Sequence, residues 1–458
     1  MKMQRTKAFL ANTAVMTVGV LTLRLIHLAF NSWLFTHMGA YGVGQYHLLL
    51  TVFSLAVTAC TAGFGFAVTR TVAENSGGRW QLRCCAGVAV AISLAAGGLL
   101  WALAPALSRR LVGSNEMLLP LRLLCPSLPL MALSAALRGY LIAVRSVVLN
   151  SVSELLELLS TIGFTVWLFG FRPPLEALCL GATLGEGLSC AFVVLCCRYL
   201  AGWHRLPARG SATPARLAHI AAPVLVGGFV RSGLRSVENL LVPQGLGRYS
   251  SHPQDALAQY GTVGGMVMPV LLLPLCILNS AAMLLVPELA EMNASGHRLS
   301  IQRTAGKSIT LTLWFSFLTT AVLVYFARPI GLHFFDSQRA GDFLRIMAPI
   351  VPILYLDSVV DGMLKGLDQQ VYSFRYNIID GLLRVAMAAV LLPWFGIVGY
   401  FFLLFASEIF NCALSLWRLV RVARVQVSLV WWLLAPLAAS ATLYLLLQAI
   451  GKIYKICC

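Results

Sequence analysis

Arg24, Arg231 and Arg235 each stand in a long apolar stretch of this sequence. A charged side chain at the centre of such a stretch costs about 2.5–3.5 kcal/mol if the stretch is a membrane helix, so it faces a partner or a water-filled cavity. Arg231 and Arg235 are one helical turn apart, and Glu238 lies a further turn on, so the three share a face. A guanidinium is a planar fork of donors suited to phosphate or carboxylate. The chemistry on offer is anion binding. The competing reading is that Arg235 and Glu238 neutralise one another. Arg24 and Arg231 have no acid within a turn.

A second group is acidic. Asp357, Asp361 and Lys365 follow at i, i+4, i+8, forming one polar stripe. Asp361 and Lys365 can pair with each other, which leaves Asp357 as the better candidate for a bound cation or proton. Glu154 and Glu157 share a face, Asp380 and Arg384 are four apart, and Glu186 and Glu408 are isolated acids in apolar runs. Each admits a structural reading as well, as half of an ion pair or as a packing carboxyl. The sequence lacks GxxxxGK[ST], HExxH, GxSxG and any metal-spaced His/Cys cluster. No enzyme, cofactor or metal site is expected. The twelve cysteines make no CxxC pair, and most fall in apolar runs, where thiols behave as small hydrophobes.

The elements that must carry these residues follow from composition. The chain has 458 residues, 59% hydrophobic and 11% charged, against roughly 25% charged in soluble domains. A spanning helix needs about 20 mostly apolar residues. Thirteen such spans are legible: 8–35, 46–69, 82–107, 117–140, 147–171, 174–200, 215–242, 257–287, 306–327, 343–366, 372–394, 396–417 and 428–450. The first holds Arg24, is too long for a secretory signal and has no clear cleavage site. Lys and Arg concentrate in alternate joints (Arg79/Arg83, Arg138/Arg145, Arg205/Arg209, Arg298/Arg303, Arg418/Arg421), which puts the N-terminus in the cytoplasm of a multi-pass cytoplasmic-membrane protein. The net charge of +17 is then an orientation signal, and its dispersal argues against nucleic acid.

The chain is also written twice. "LRLLCPSLPLMALSAALRG" (121–139) returns as "LRIMAPIVPILYLDSVVDG" (344–362), with Arg122, Pro126, Pro129 and Gly139 each matched 223 positions on. Glu157 then falls opposite Asp380, and Glu186 opposite Glu408. At the same offset Asp357 and Asp361 replace Ser134 and Arg138. Earlier, Gln45 pairs with Gln259 and Glu74 with Glu291. Each copy holds six spans, so both enter the membrane in one sense, a parallel repeat. The expected fold is an all-α polytopic membrane protein of two six-helix bundles plus one extra C-terminal helix. Its divisions are 1–200, a cytoplasmic linker 201–216, 217–424, and 425–458. Substrate sites in such repeats lie at the interface of the copies. The prolines at 126, 129, 269, 274, 349 and 352 are expected to kink their spans.

"LRLIHLAFNSWLFTHMGAYGVGQYHLLLTVFSLAVTACTAGFGFAVTRTVAE" (23–74) and "LAQYGTVGGMVMPVLLLPLCILNSAAMLLVPELAE" (257–291) resemble the stage V sporulation protein B-like polysaccharide-export family. That family belongs to the multidrug/oligosaccharidyl-lipid/polysaccharide exporter superfamily. The likeness covers residues 8–420, although many relatives have fourteen spans. It implies alternating access and the flipping of an undecaprenyl-diphosphate-linked sugar, a peptidoglycan lipid II or a polysaccharide repeat unit, in cell-wall or spore-cortex assembly. Arg24 matches a first-span arginine of the flippases by position. Arg231 and Arg235 are outside the family pattern, and their place at the headgroup diphosphate rests on chemistry. Asp357, Asp361, Glu154, Glu157 and Glu238 are the candidate cavity carboxylates or ion-coupling sites. The expected partners are the lipid-linked oligosaccharide, membrane lipids and a coupling Na+ or H+, with the chain a monomer. The alternatives are an organic-cation antiporter of the same superfamily and a non-transporting scaffold in envelope assembly.

Overall fold

The computed structural model describes residues 2–61, 63–73, 78–112, 116–144, 146–200, 213–250, 253–426, 428 and 430–457. Glu74, Arg145, Cys458 and most of the expected linker (201–212, with Arg205 and Arg209) lie outside the described residues. Among those described, the regular structure is helical throughout. Lipid offers the backbone no hydrogen bonds, and a helix satisfies its own.

The first half of the chain holds α1 (Lys2–Thr61), α2 (Phe64–Ala73), α3 (Arg79–Val112), α4 (Leu118–Leu124), α5 (Ser127–Ala143), α6 (Val147–Leu168) and α7 (Pro174–Leu195). The second holds α8 (Pro214–Tyr249), α9 (Pro253–Thr262), α10 (Met268–Leu272), α11 (Leu275–Ala294), α12 (Arg298–Phe335), α13 (Gln338–Met347), α14 (Val351–Gly366), α15 (Gln370–Ala423) and α16 (Ala435–Cys457). Ten stretches among the described residues are long and apolar enough to cross a membrane. Two of them, Leu21–Val72 and Gln370–Ala423, run for 52 and 54 residues. At 1.5 Å per residue that is roughly 80 Å, more than twice the ~30 Å hydrocarbon core, so each is two spans. The joints are single glycines in the left-handed region, Gly39 at φ 68° and Gly396 at φ 55°, where a side chain would be strained. The stretch expected as the seventh span is helical within α8 but is not one of the ten; its polar residues, Arg231, Arg235 and Glu238 among them, lower its hydropathy.

Proline shapes the remaining breaks. The fourth span is split into α4 and α5, with Pro126 preceding α5. The tenth is split into α13 and α14 by a 3-10 turn at Ala348–Ile350. Pro274 precedes α11 after a π-turn at Val263–Val267 and the short α10. In each case the ring removes a backbone donor and crowds the preceding turn.

The chain divides into two compact units: residues 45–240, and residues 1–44 together with 241–458. This partition by packing is not the partition by repeat at 200 and 217. It assigns the first span and the start of α8 each to the unit opposite its sequence copy. In the 45–240 unit, Val68, Leu82, Leu137, Tyr140 and Val193 bury one core shared by α2, α3, α5 and α7. There α2 and α5 cross at glycine: a Cβ on Gly139 would lie 2.4 Å from the Gly65 carbonyl oxygen, and Thr69 donates to the Gly139 carbonyl at 2.9 Å. In the other unit α14 packs against α11, α12 and α15, and the buried Tyr355 hydroxyl donates to the Leu271 carbonyl at 2.7 Å. α16 lies along α12, with Tyr444 edge-on to Tyr325, and keeps most of its surface exposed.

Candidate functional site

Each unit contains a polar network, on α5, α6 and α7 in one and on α14 and α15 in the other. In the 45–240 unit, α5 supplies Ser134 and Arg138, one turn apart. Arg138 Nη2 donates to Glu157 Oε2 of α6 at 2.6 Å and to Ser189 Oγ of α7 at 3.0 Å. Ser134 Oγ donates to Glu186 Oε1 of α7 at 2.7 Å, and Ser189 closes back on the Ser153 carbonyl at 3.1 Å. Glu186 is 3% exposed. The elements that hold this network meet closely, since Gly181 and Gly185 of α7 sit directly against Thr165 and Thr161 of α6.

In the 241–458 unit the arginine has moved. Arg384 of α15 donates through Nε to Asp380 Oδ2 at 2.9 Å and through Nη2 to Glu408 Oε2 at 2.7 Å, bridging the two spans that α15 contains. Ser407 donates to the other Asp380 oxygen. On α14, Asp361 accepts from Ser373 and pairs with Lys365 at 3.4 Å. Asp357, one turn deeper, accepts from Asn411 Nδ2 at 3.1 Å through Oδ2. Its Oδ1 is buried without a hydrogen-bond partner among the described residues, and no described cation stands within ion-pair distance. A buried carboxylate oxygen left open in this way is a place for a small cation or a proton.

The sequence-expected residues are distributed as follows. Arg24 is exposed on α1, within residues 1–44; that helix is held by Ser32 donating to the Phe334 carbonyl and by Phe35 edge-on to Phe335 at 6.4 Å. Arg231 and Arg235 are exposed on α8 in the other unit, while Glu238 is buried. A neighbouring face of α8 carries Ser232, Ser236 and Asn239, which bond to Thr58 and Thr51 of α1 at 3.1–3.3 Å. Arg231 and Arg235 sit to one side of that seam, Arg231 about 100° round the helix from Ser232. Glu157 and Asp361 belong to the networks. Glu154 stays exposed and accepts from Asn150 at 2.9 Å, outside the network that holds Glu157.

Sequence reasoning missed Arg138 and undercounted Arg384. Arg138 reads as the basic end of a span, yet its guanidinium is committed inside the helix bundle. Arg384 reads as half of an i, i+4 pair, yet it also holds Glu408. The signal was present: Glu157/Asp380 and Glu186/Glu408 recur at offsets of 223 and 222, and matched acids on two helices call for donors between them.

Helices of this length, broken at proline and carrying charge in their interiors, define a polytopic membrane fold. The structure matches that of the lipid II flippase MurJ in its inward closed conformation, with a TM-score of 0.71, 14% identity, and coverage of 97% of this chain and 100% of that one. It matches an inward-facing multidrug resistance MATE family transporter of the MOP superfamily with a TM-score of 0.68, 14% identity and coverage of 89% and 96%. Residues 9–293 match the polysaccharide biosynthesis protein family and residues 246–390 the MatE family. The chain belongs to the polysaccharide biosynthesis protein family. Among curated proteins it is similar to stage V sporulation protein B of Bacillus subtilis (strain 168), 24% identical over 413 residues, covering 86% of this chain and 80% of the relative. It is also similar to sporulation protein YkvU of that strain, 20% identical over 399 residues, covering 84% and 88%.

Proposed function

We propose that this chain flips an undecaprenyl-diphosphate-linked sugar across the cytoplasmic membrane by alternating access, in the assembly of cell wall or spore cortex. The observation that carries the reading is the exposure of Arg24, Arg231 and Arg235 on long helices of a polysaccharide-biosynthesis family member. An exposed guanidinium at such a depth is stable only against water or an anion. A diphosphate is an anion that a planar donor fork grips at several oxygens. An inside-negative potential, worth about 2.3 kcal/mol per charge per 100 mV, favours outward movement of an anionic headgroup. The N-terminus is cytoplasmic in this reading, and residues 1–200 and 217–424 are copies of one six-span ancestor. Asp357 is the coupling site for Na+ or H+.

The test is flipping of a fluorescent undecaprenyl-diphosphate sugar by the full chain in proteoliposomes. Arg24→Ala and Arg231→Ala should each slow it about tenfold or more, since a charge-assisted hydrogen bond is worth about 1.5–3 kcal/mol. A second reading, an organic-cation antiporter, is favoured by the open carboxylate of Asp357 and by the MatE match over residues 246–390. It predicts full flipping competence in the arginine variants, or none in any form, together with proton-coupled dye export that Asp357→Asn abolishes. A folded protein inactive in both assays supports the scaffold.

A further inference from the structure

Outside both networks, each unit opens a cleft at one end of its helices. In the 45–240 unit the cleft is about 470 Å3, and Arg79, Arg83 and Arg198 line it with Val194 and Tyr199. In the other unit it is about 410 Å3, and Arg298, Arg421 and Arg424 line it with Leu299 and Val422. No carboxylate lines either one, and no ion pair to these six arginines is formed among the described residues.

The two clefts correspond in sequence. Arg198 and Arg421 are 223 positions apart, one more than the 222 that separates Glu186 from Glu408, and Arg79 and Arg298 are 219 apart. Both use the start of a long helix (α3 at Arg79, α12 at Arg298) and the end of the sixth span of each copy.

The helix starts add to the positive charge of both clefts. A helix N-terminus carries about half a positive charge and favours acids in its first turn. α3 and α12 have no acid there and begin on arginine. His297 before α12 gives no side-chain cap. Three guanidiniums gathered at the positive end of a helix form a site that favours an anion. The surroundings are amphiphilic: Tyr199 is 67% and Leu299 69% exposed beside the arginines. Trp417 holds the Arg421 guanidinium at 4.0 Å from its ring centre.

We propose that the two clefts are paired sites for the phosphate of an anionic phospholipid headgroup, one in each unit, with the neighbouring apolar side chains against its acyl chains. By the positive-inside pattern both ends face the cytoplasmic leaflet, where basic pockets between helices take such headgroups. The inference does not rest on the flippase reading.

Native mass spectrometry of the full chain in a zwitterionic detergent, with phosphatidylglycerol or phosphatidylcholine added, tests it. The wild type should retain one phosphatidylglycerol for each cleft and should not retain phosphatidylcholine in its place. R79Q/R83Q/R198Q and R298Q/R421Q/R424Q should each lose one lipid, and the combined variant both. The corresponding Arg→Lys variants should keep most of the retention, which separates loss of charge from loss of fold. For the wild type, retention should fall as NaCl is raised. Unchanged retention in the combined Gln variant, or in high salt, overturns the proposal. Displacement of the lipid by millimolar inorganic phosphate, with equal thermal protection by phosphate alone, overturns the lipid source in favour of a free phosphate.

Discussion

The two polar networks are built on one plan and differ in where the cation stands. In residues 45–240 the arginine is on the fourth expected span, Arg138 of α5, and reaches the acid on the fifth, Glu157, while Glu186 on the sixth accepts from Ser134 instead. In residues 241–458 that fourth-span position is Asp361, and the arginine stands on the fifth span as Arg384. Asp380 and Glu408 keep the acid positions of Glu157 and Glu186. With the cation one element over, the two acids at the matched positions are satisfied, but α14 keeps Asp357 and Asp361. Lys365 answers the second; no described cation answers the first. Under the proposed function the matched positions are architecture and Asp357 is the coupling site.

The largest test of this contrast is Arg384→Ala. It strands two carboxylates, Asp380 and Glu408, and removal of one partner from a buried pair costs about 3–5 kcal/mol. Arg138→Ala strands Glu157 alone, which is more exposed, and should cost visibly less by thermal unfolding in detergent. Equal losses would mean that the two networks do the same structural work. The glycine crossings give the next contrast. Gly139→Ala drives a methyl onto a backbone oxygen at 2.4 Å and should cost about 1–3 kcal/mol. Gly362→Ala meets only the Ala282 methyl at 3.2 Å and should cost less, as read by the same melts. Asp357→Asn should leave the melt within about 1 kcal/mol of wild type, because no ion pair is broken. It should nonetheless abolish the response of transport to a Na+ or H+ gradient, whereas Glu186→Gln should leave that response intact. The smallest effect belongs to Asp361→Asn, whose partner Lys365 is half exposed; a pair of that kind is worth about 0–1 kcal/mol.

The sequence made the helices legible because lipid enforces them: runs of apolar residues long enough to cross have no other stable form. Pro126, Pro349 and Pro274 marked real breaks for the same local reason. The networks were half legible. Matched acids at 157/380 and 186/408 showed where charge is buried, but their partners were hidden by conflicting local signals. Arg138 sits near a basic joint and so looked like a topology marker, and Arg384 had an acid four residues away that seemed to account for it. Ser134, Ser189, Ser407 and Asn411 were not legible, because a small polar residue in a membrane helix has no distinguishing neighbour pattern. The grouping of residues 1–44 with 241–458 was also out of reach. It depends on close backbone approach, such as Gly44 against Leu257, which periodicity does not encode.

The joint at Gly396 has a consequence for how the protein is made. α15 turns from one span into the next at a single residue, with no loop between them. No loop gives the two spans slack to part. Entry of the pair as one hairpin would let the Arg384–Glu408 contact close within the bilayer. Asp380 and Arg384 pair within the first span either way, but Glu408 meets Arg384 only across the hairpin, so joint insertion carries the three as one group with a net charge of minus one.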